Sequence, residues 1–109
     1  LKYSLEKQSD GKTAVVRTSD SGTKSVLFEV EGTPTSLILF NDTILVPENR
    51  DSGWDVVAYA LVDGSLPTLI ADKDGKAVGG NGTITAATLD GTTLKVTDST
   101  GNTTSVALQ

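Results

Sequence analysis

The sequence predicts an all-β fold, an antiparallel β-sandwich of short strands joined by tight hairpins, in a single domain spanning 1–109. Three observations predict it. Short apolar runs alternate with Asp/Gly/Ser/Asn clusters roughly every ten residues, the spacing of strands and turns. Leu, Ile, Val and Phe make up 29 of 109 residues, too many for a disordered chain and enough for one modest core. Pairing the strands at either end about their Asp-Gly turns gathers the apolar residues on one face.

At the amino terminus, "LKYSLEK" (1–7) reads as a strand with alternating apolar residues. Asp10-Gly11, taken as a two-residue turn, sets Leu5 opposite Val16 and Lys7 opposite Ala14. The turn "SDSGT" (19–23) then brings Val26 beside Val16 and Phe28 beside Ala14. "TSLILFNDTILV" (35–46) forms a hairpin about Asn41-Asp42, apolar on both faces as central strands are, and Pro47 closes it. "SGWDVVAYALVDGS" (52–65) reads two ways: Ser52 and Asp55 imitate a capping box and Gly64 could end a helix. The branched Val56, Val57 and Val62 favour a buried strand, and a strand is expected.

The segment "ADKDGKAVGGNGT" (71–83) begins as many calcium loops do. Counted from Asp72, however, positions 3, 5, 6 and 12 are Asp74, Lys76, Ala77 and Thr83, where a calcium loop needs oxygen ligands, glycine and a bidentate Glu. A hairpin tip, Asp72 to Lys76 with Gly75 at positive φ, fits better, leaving Asp72 and Asp74 as weak calcium candidates. Asp51, Asp55 and Asp63 could join them only by converging from other loops. Near the carboxyl terminus, Asp90-Gly91 as a turn sets Leu89 opposite Thr92, Ala87 opposite Leu94 and Thr85 opposite Val96. The turn "DSTGN" (98–102) places Val106 beside Leu94 and Leu108 beside Thr92. Residues 10–28 and 90–108 match at eight of nineteen positions, which suits either a duplicated hairpin unit or the general likeness of Thr-rich hairpins.

Charge and composition narrow the function classes. The net charge is −5; residues 1–31 are neutral, and the rest carries four basic against nine acidic residues. Without a Lys/Arg cluster, the chain lacks the footprint of nucleic-acid binding. No apolar run approaches a membrane span. His and Cys are absent, which removes Ser-His, Cys-His and His-based metal chemistry and leaves disulfides out of the fold. No initiator Met begins the chain, as expected of a processed product or an excised domain. Carboxylates alone could hydrolyse glycosides, and Glu48 with Asp51 or Asp55, around Trp54, is the only acid-plus-aromatic cluster. Solvated loop charge is the simpler account, and "VGGNG" (78–82) lacks the ending of a phosphate loop. No enzyme activity and no cofactor are expected.

Two further groups of residues bear on function. Trp54 and Tyr59 could form a sugar-stacking platform, although a single Trp in a β-sandwich usually anchors the core. Asn41, Asn81 and Asn102 each begin an N-x-Thr sequon in an expected turn, which makes them candidates for glycosylation.

The stretch "LKVTDSTGNTTSVAL" (94–108) resembles the final hairpin of bacterial Ig-like modules, found in surface adhesins, secreted multidomain proteins and phage virion proteins. The resemblance implies an Ig-like or jelly-roll-like sandwich and a spacer, adhesive or assembly role. The expectation is therefore a two-layer sandwich outside the cell or on a virion, acting as a filament subunit, coat or decoration protein, or adhesin module. It would form a homo-oligomer or larger assembly through edge strands, at "LKYSLEK" (1–7) and "TTSVALQ" (103–109), by pairing or by donation of residues 1–7. The alternative is a carbohydrate-binding module using Trp54 and Tyr59.

Overall fold

The computed structural model describes residues 1–108; Gln109, the last residue of the expected edge strand 103–109, lies outside the described residues. Among the described residues twelve strands follow one another without a helix: β1 (Lys2–Lys7), β2 (Thr13–Thr18), β3 (Lys24–Val30), β4 (Thr33–Pro34), β5 (Ile38–Phe40), β6 (Thr43–Arg50), β7 (Gly53–Ala60), β8 (Thr68–Leu69), β9 (Gly79–Gly80), β10 (Ile84–Asp90), β11 (Thr93–Asp98) and β12 (Thr103–Ala107). All pairings are antiparallel. The fold is an antiparallel β-sandwich, and residues 52–65 supply strand β7 rather than a helix.

The sandwich has three layers rather than two. A central sheet runs β4-β6-β7-β8, with β5 also on β6 and β9 also on β7; the meanders β1-β2-β3 and β10-β11-β12 form the other two sheets. Side chains alternate across a strand, so β6 and β7 send one set each way. Leu45, Trp54 and Val56 pack with Leu94, Val96 and Val106 of the carboxy-terminal meander. Ile44, Val46 and Val57 pack with Val15, Phe28 and Val30 of the amino-terminal one. A strand apolar on both faces needs a cover on both faces, and a second layer could supply only one.

Four turns share one geometry. Gln8–Lys12, Ser19–Thr23, Asp72–Lys76 and Asp98–Asn102 each close with the first residue's N–H on the fifth carbonyl, at 2.7–3.0 Å. In each, a glycine at the fourth position bonds back to the first carbonyl with φ between 79 and 90°. This type I turn with a left-handed glycine matches the strand twist. It also corrects the expected amino-terminal register: Leu5 faces Val15 and Lys7 faces Thr13, instead of Val16 and Ala14. Gly11 belongs to the fourth place of a five-residue turn, and that single step chooses which face of β2 enters the core. Val26 does pair with Val16, but a bulge at Leu27 moves Phe28 from Ala14 to Val15. Phe28 is thereby buried while Val26 stays half exposed. Ala14 and Val16, on the far side of β2, are buried as well, on the face where Lys24 of β3 and Glu6 of β1 stand 3.1 Å apart.

At the other end the two-residue turn is Gly91-Thr92, with Gly91 at φ 63°. Leu89 therefore faces Leu94 and Ala87 faces Val96, two residues from the expected register. A two-residue slip keeps every side chain on its face, so the apolar side survives; Thr85 becomes a bulge and faces no residue. Val106 pairs with Leu94, and the Leu108 N–H donates to the Thr92 carbonyl, as expected. The hairpin at Asn41-Asp42 also forms, Asn41 taking φ 52°.

Pro47 does not close that hairpin; it lies inside β6 opposite Val56. Its carbonyl accepts the Thr35 N–H at 2.9 Å, so that side of Pro47 points away from β7. The missing N–H points the same way, into the gap between β4 and β5, and costs no bond to β7. Finally, the matching segments 10–28 and 90–108 share strand order but not orientation: Val26 is 54% exposed whereas its counterpart Val106 is 5% exposed. The likeness is that of Thr-rich hairpins, without equivalent packing.

Candidate functional site

The turn aspartates are committed to their own backbone. Asp72 Oδ1 accepts the N–H groups of Asp74 and Lys76 at 2.9 and 3.0 Å. Asp98 Oδ1 does the same for Thr100 and Asn102 at 2.9 and 3.3 Å. An Asp beginning such a turn spends a carboxylate oxygen on amide donors that the tight loop leaves open. Asp72 and Asp74 are exposed, Asp51 sits at the β6–β7 turn, and Asp63 lies in the loop after β7. Among the described residues no three acidic side chains gather into a metal-sized group.

Asp98 also reaches inward. Its Oδ2 accepts the Trp54 indole N–H at 3.3 Å, tying the central sheet to the carboxy-terminal meander. The Thr100 hydroxyl first, then backbone and indole donors, hold its carboxyl below the usual range against the effect of burial. Trp54 is 3% exposed. Gly80 lies against its ring so closely that an added Cβ would stand 2.6 Å from Nε1. Within "VGGNG", Gly80 thus admits the indole, while Gly79 lets the Trp54 backbone carbonyl approach. Tyr59 emerges on the opposite face of β7, its ring 4.8 Å from that of Phe28. Trp54 and Tyr59 consequently cannot share a platform: the alternative stacking role fails, and Trp54 is the core anchor that a single Trp in a sandwich usually is.

The acid cluster is partly assembled. The β6–β7 register sets Glu48 directly opposite Asp55, with Asp51 left at the turn. Arg50 joins them, its Nε 3.1 Å from Glu48 Oε2 and 3.4 Å from Asp55 Oδ2, while its Nη2 meets Glu31 at 3.3 Å. Glu48 is fully buried, and its other oxygen accepts the Gly32 N–H at 2.9 Å. Desolvation, followed by the Glu48 hydrogen bond and charge, pushes Asp55 up to about 7 despite Arg50. Glu48's charge in turn raises Arg50. The group can hold one proton near neutral pH, but both Glu48 oxygens are engaged by the fold. A cavity of about 190 Å³ opens beside Glu48 and Arg50, walled by Pro67, Thr68 and Leu69. Arg50 was not singled out in the sequence, although a tight turn at Asp51-Ser52 places 48, 50 and 55 on one face.

Asn41, Asn81 and Asn102 all occupy exposed turns, as their sequons require.

The sheet edges differ sharply. β1 carries Lys2, Glu6 and Lys7 and belongs to its own sheet along its length, with Tyr3 and Leu5 packed on the core. Residues 1–7 are therefore in use within the chain rather than free for donation. β3 has Lys24, Glu29 and a bulge; β10 has Asp90 and a bulge. Charge and bulges are the ordinary guards of an edge. β12, Thr103-Thr104-Ser105-Val106-Ala107, has neither, and no proline. The backbone bonds Leu108–Thr92 and Asp98–Asn102 fix its phase. Thr104 and Val106 bond to β11, so the N–H and C=O groups of Thr103, Ser105 and Ala107 point outward from the sheet. Beside this edge a slot of about 460 Å³ runs between Ser105–Leu108 and Ala71–Lys73. It adjoins another of about 440 Å³ walled by Phe40, Leu45, Ala58 and Ile70.

Comparison of the chain with protein-family models, characterised proteins and solved structures finds no match.

Proposed function

We propose that the chain is a non-enzymatic structural module that works outside the cell or on a virion and associates through β-strand edges. Filament subunit, coat or decoration protein, and adhesin module are the roles that fit. The observation that carries this reading is β12, the outer-sheet edge without charge, proline or bulge, lying beside a partly apolar slot. β1, β3 and β10 are guarded, so the bare edge is a local departure from how this chain treats its own edges. Sequons on three exposed turns and a Thr- and Ser-rich exterior support the location. The carbohydrate reading keeps no comparable support once Trp54 is in the core.

Light scattering coupled to size-exclusion chromatography tests the proposal. A particle of two or more chains is expected, and electron microscopy would give the symmetry of a larger one. An 11.3 kDa monomer persisting up to about 1 mM, where even a contact of roughly 4 kcal/mol would register, overturns it.

A further inference from the structure

Resting on that reading, we infer that the partner of β12 is β12 of a second copy, antiparallel about a two-fold axis at Ser105, joining two meanders into one continuous six-stranded sheet. The register carries the argument. With Ser105 opposite its own counterpart, Thr103 meets Ala107 of the second copy, and Ala107 meets Thr103. These three positions are the ones whose backbone groups point outward. Each such pair exchanges two bonds, so about six N–H and C=O partnerships form and no outward group of the strand is left over. The outward groups fall symmetrically about Ser105, which is the self-complementarity a two-fold interface demands.

Side chains agree with the backbone. Thr103, Ser105 and Ala107 are small and lie together on the outer face, so nothing bulky opposes itself. Thr104 and Val106 of the second copy face inward, toward the slot beside Ala71–Lys73. The guards on the other edges leave β12 as the open one. β1 carries Lys2, Glu6 and Lys7, and the bulges of β3 and β10 break the ladder. β12 has no charge to repel its twin. The contact is nonetheless small. Five residues of strand span roughly 17 Å, which places the interface below about 1,200 Å², the class of weak and reversible associations. Dimerisation should therefore depend on concentration and be best seen by trapping.

The absence of cysteine makes trapping clean. Ser105→Cys should oxidise rapidly to a covalent dimer, since facing Cα atoms across a bonded antiparallel pair lie about 5.5 Å apart, within disulfide reach. Thr103→Cys alone should not, because its counterpart stands four residues away, roughly 13 Å. Thr103→Cys mixed with Ala107→Cys should give the heterodimer. Ser105→Pro removes only an outward N–H and should abolish association of the full chain without lowering its melting temperature. Should that variant fold poorly, Ser105→Lys sets like charges face to face and weakens association about tenfold or more. Association of the parent chain together with selective trapping at Ser105 supports the dimer. Association that survives both Ser105 variants, with no preference among the cysteines, overturns this geometry and leaves edge assembly standing. A parent chain that stays monomeric overturns both.

Discussion

Replacing Asp55 by Asn should stabilise the protein at neutral pH, by an amount that shrinks to nothing as the pH falls toward 3.8. Asp55 faces Glu48 across β6 and β7, its side chain 17% exposed and one oxygen, Oδ1, buried without a donor. Desolvation and then Glu48 lift its pKa from 3.8 to about 7, with Arg50 as the opposing cation. Below pH 3.8 the folded and unfolded chains both hold the proton, and Asp55 adds no pH dependence. Between there and about pH 7 the unfolded chain releases the proton while the folded one keeps it, so stability falls as pH rises. Above that range both are ionised and the penalty is constant. The full gap corresponds to at most about 4 kcal/mol. Partial exposure lets water screen the group, and about 2 kcal/mol is the working figure.

Asn keeps the shape and cannot ionise. Urea unfolding at about pH 4.5, 6 and 7.5 reads the difference directly. The parent midpoint should fall across the series, and that of Asp55→Asn should lack this fall. At the upper end the variant should unfold about 1–2 M later. Equal slopes, or a variant less stable at the upper end, would show that Asp55 is ionised in the fold without penalty. In that case the Arg50 ion pair outweighs burial.

Further outcomes follow from the core and the turns. Gly80→Ala forces a Cβ to within 2.6 Å of the Trp54 ring nitrogen and should cost about 2 kcal/mol, near 10 °C in melting temperature; an unchanged melt would mean the ring moves freely. Asp98→Ala removes a turn cap and leaves a buried indole N–H without a partner, for a loss of about 2–3 kcal/mol. Asp72→Ala, the same cap on an exposed turn, should lose about 1 kcal/mol, and equal losses would deny Asp98 its inward role. Trp54 fluorescence should be blue-shifted and shielded from acrylamide, whereas ready quenching would place the ring at the surface. Millimolar calcium should leave the melting temperature where it was, because Asp72 Oδ1 already serves two amides.

The central hairpins were legible for simple reasons. Asn41-Asp42 tolerates the left-handed backbone that a two-residue turn needs, and Ile44, Leu45 and Val46 in succession announce a strand buried on both faces. That same run carried the signal for a third layer, which the expected two-layer sandwich overlooked, since two apolar faces cannot be satisfied by one cover. The bare edge was legible too: "TTSVA" lacks charge wherever it is placed. The candidate site was less so. Glu48, Arg50 and Asp55 look like loop charges along the chain, and only the β6–β7 register turns them inward together. Trp54 could have stacked on a ligand or anchored the core, and the choice rested on Gly80 and Asp98, which are 26 and 44 residues away.

The sequence by itself determined that this chain is all-β, where most of its turns fall, and which strand end carries no guard. These follow from local chemistry: branched side chains prefer extended backbone, and glycine alone enters left-handed turns freely. Tertiary structure decided the register at Gly11, the bulge at Leu27 and the burial of Glu48. Each depends on a one-residue choice that local preference leaves nearly balanced. Val15 rather than Val16 faces the central sheet because Ile44, Val46 and Val57 are there to receive it, and contacts that distant in the chain exist only once the layers have closed.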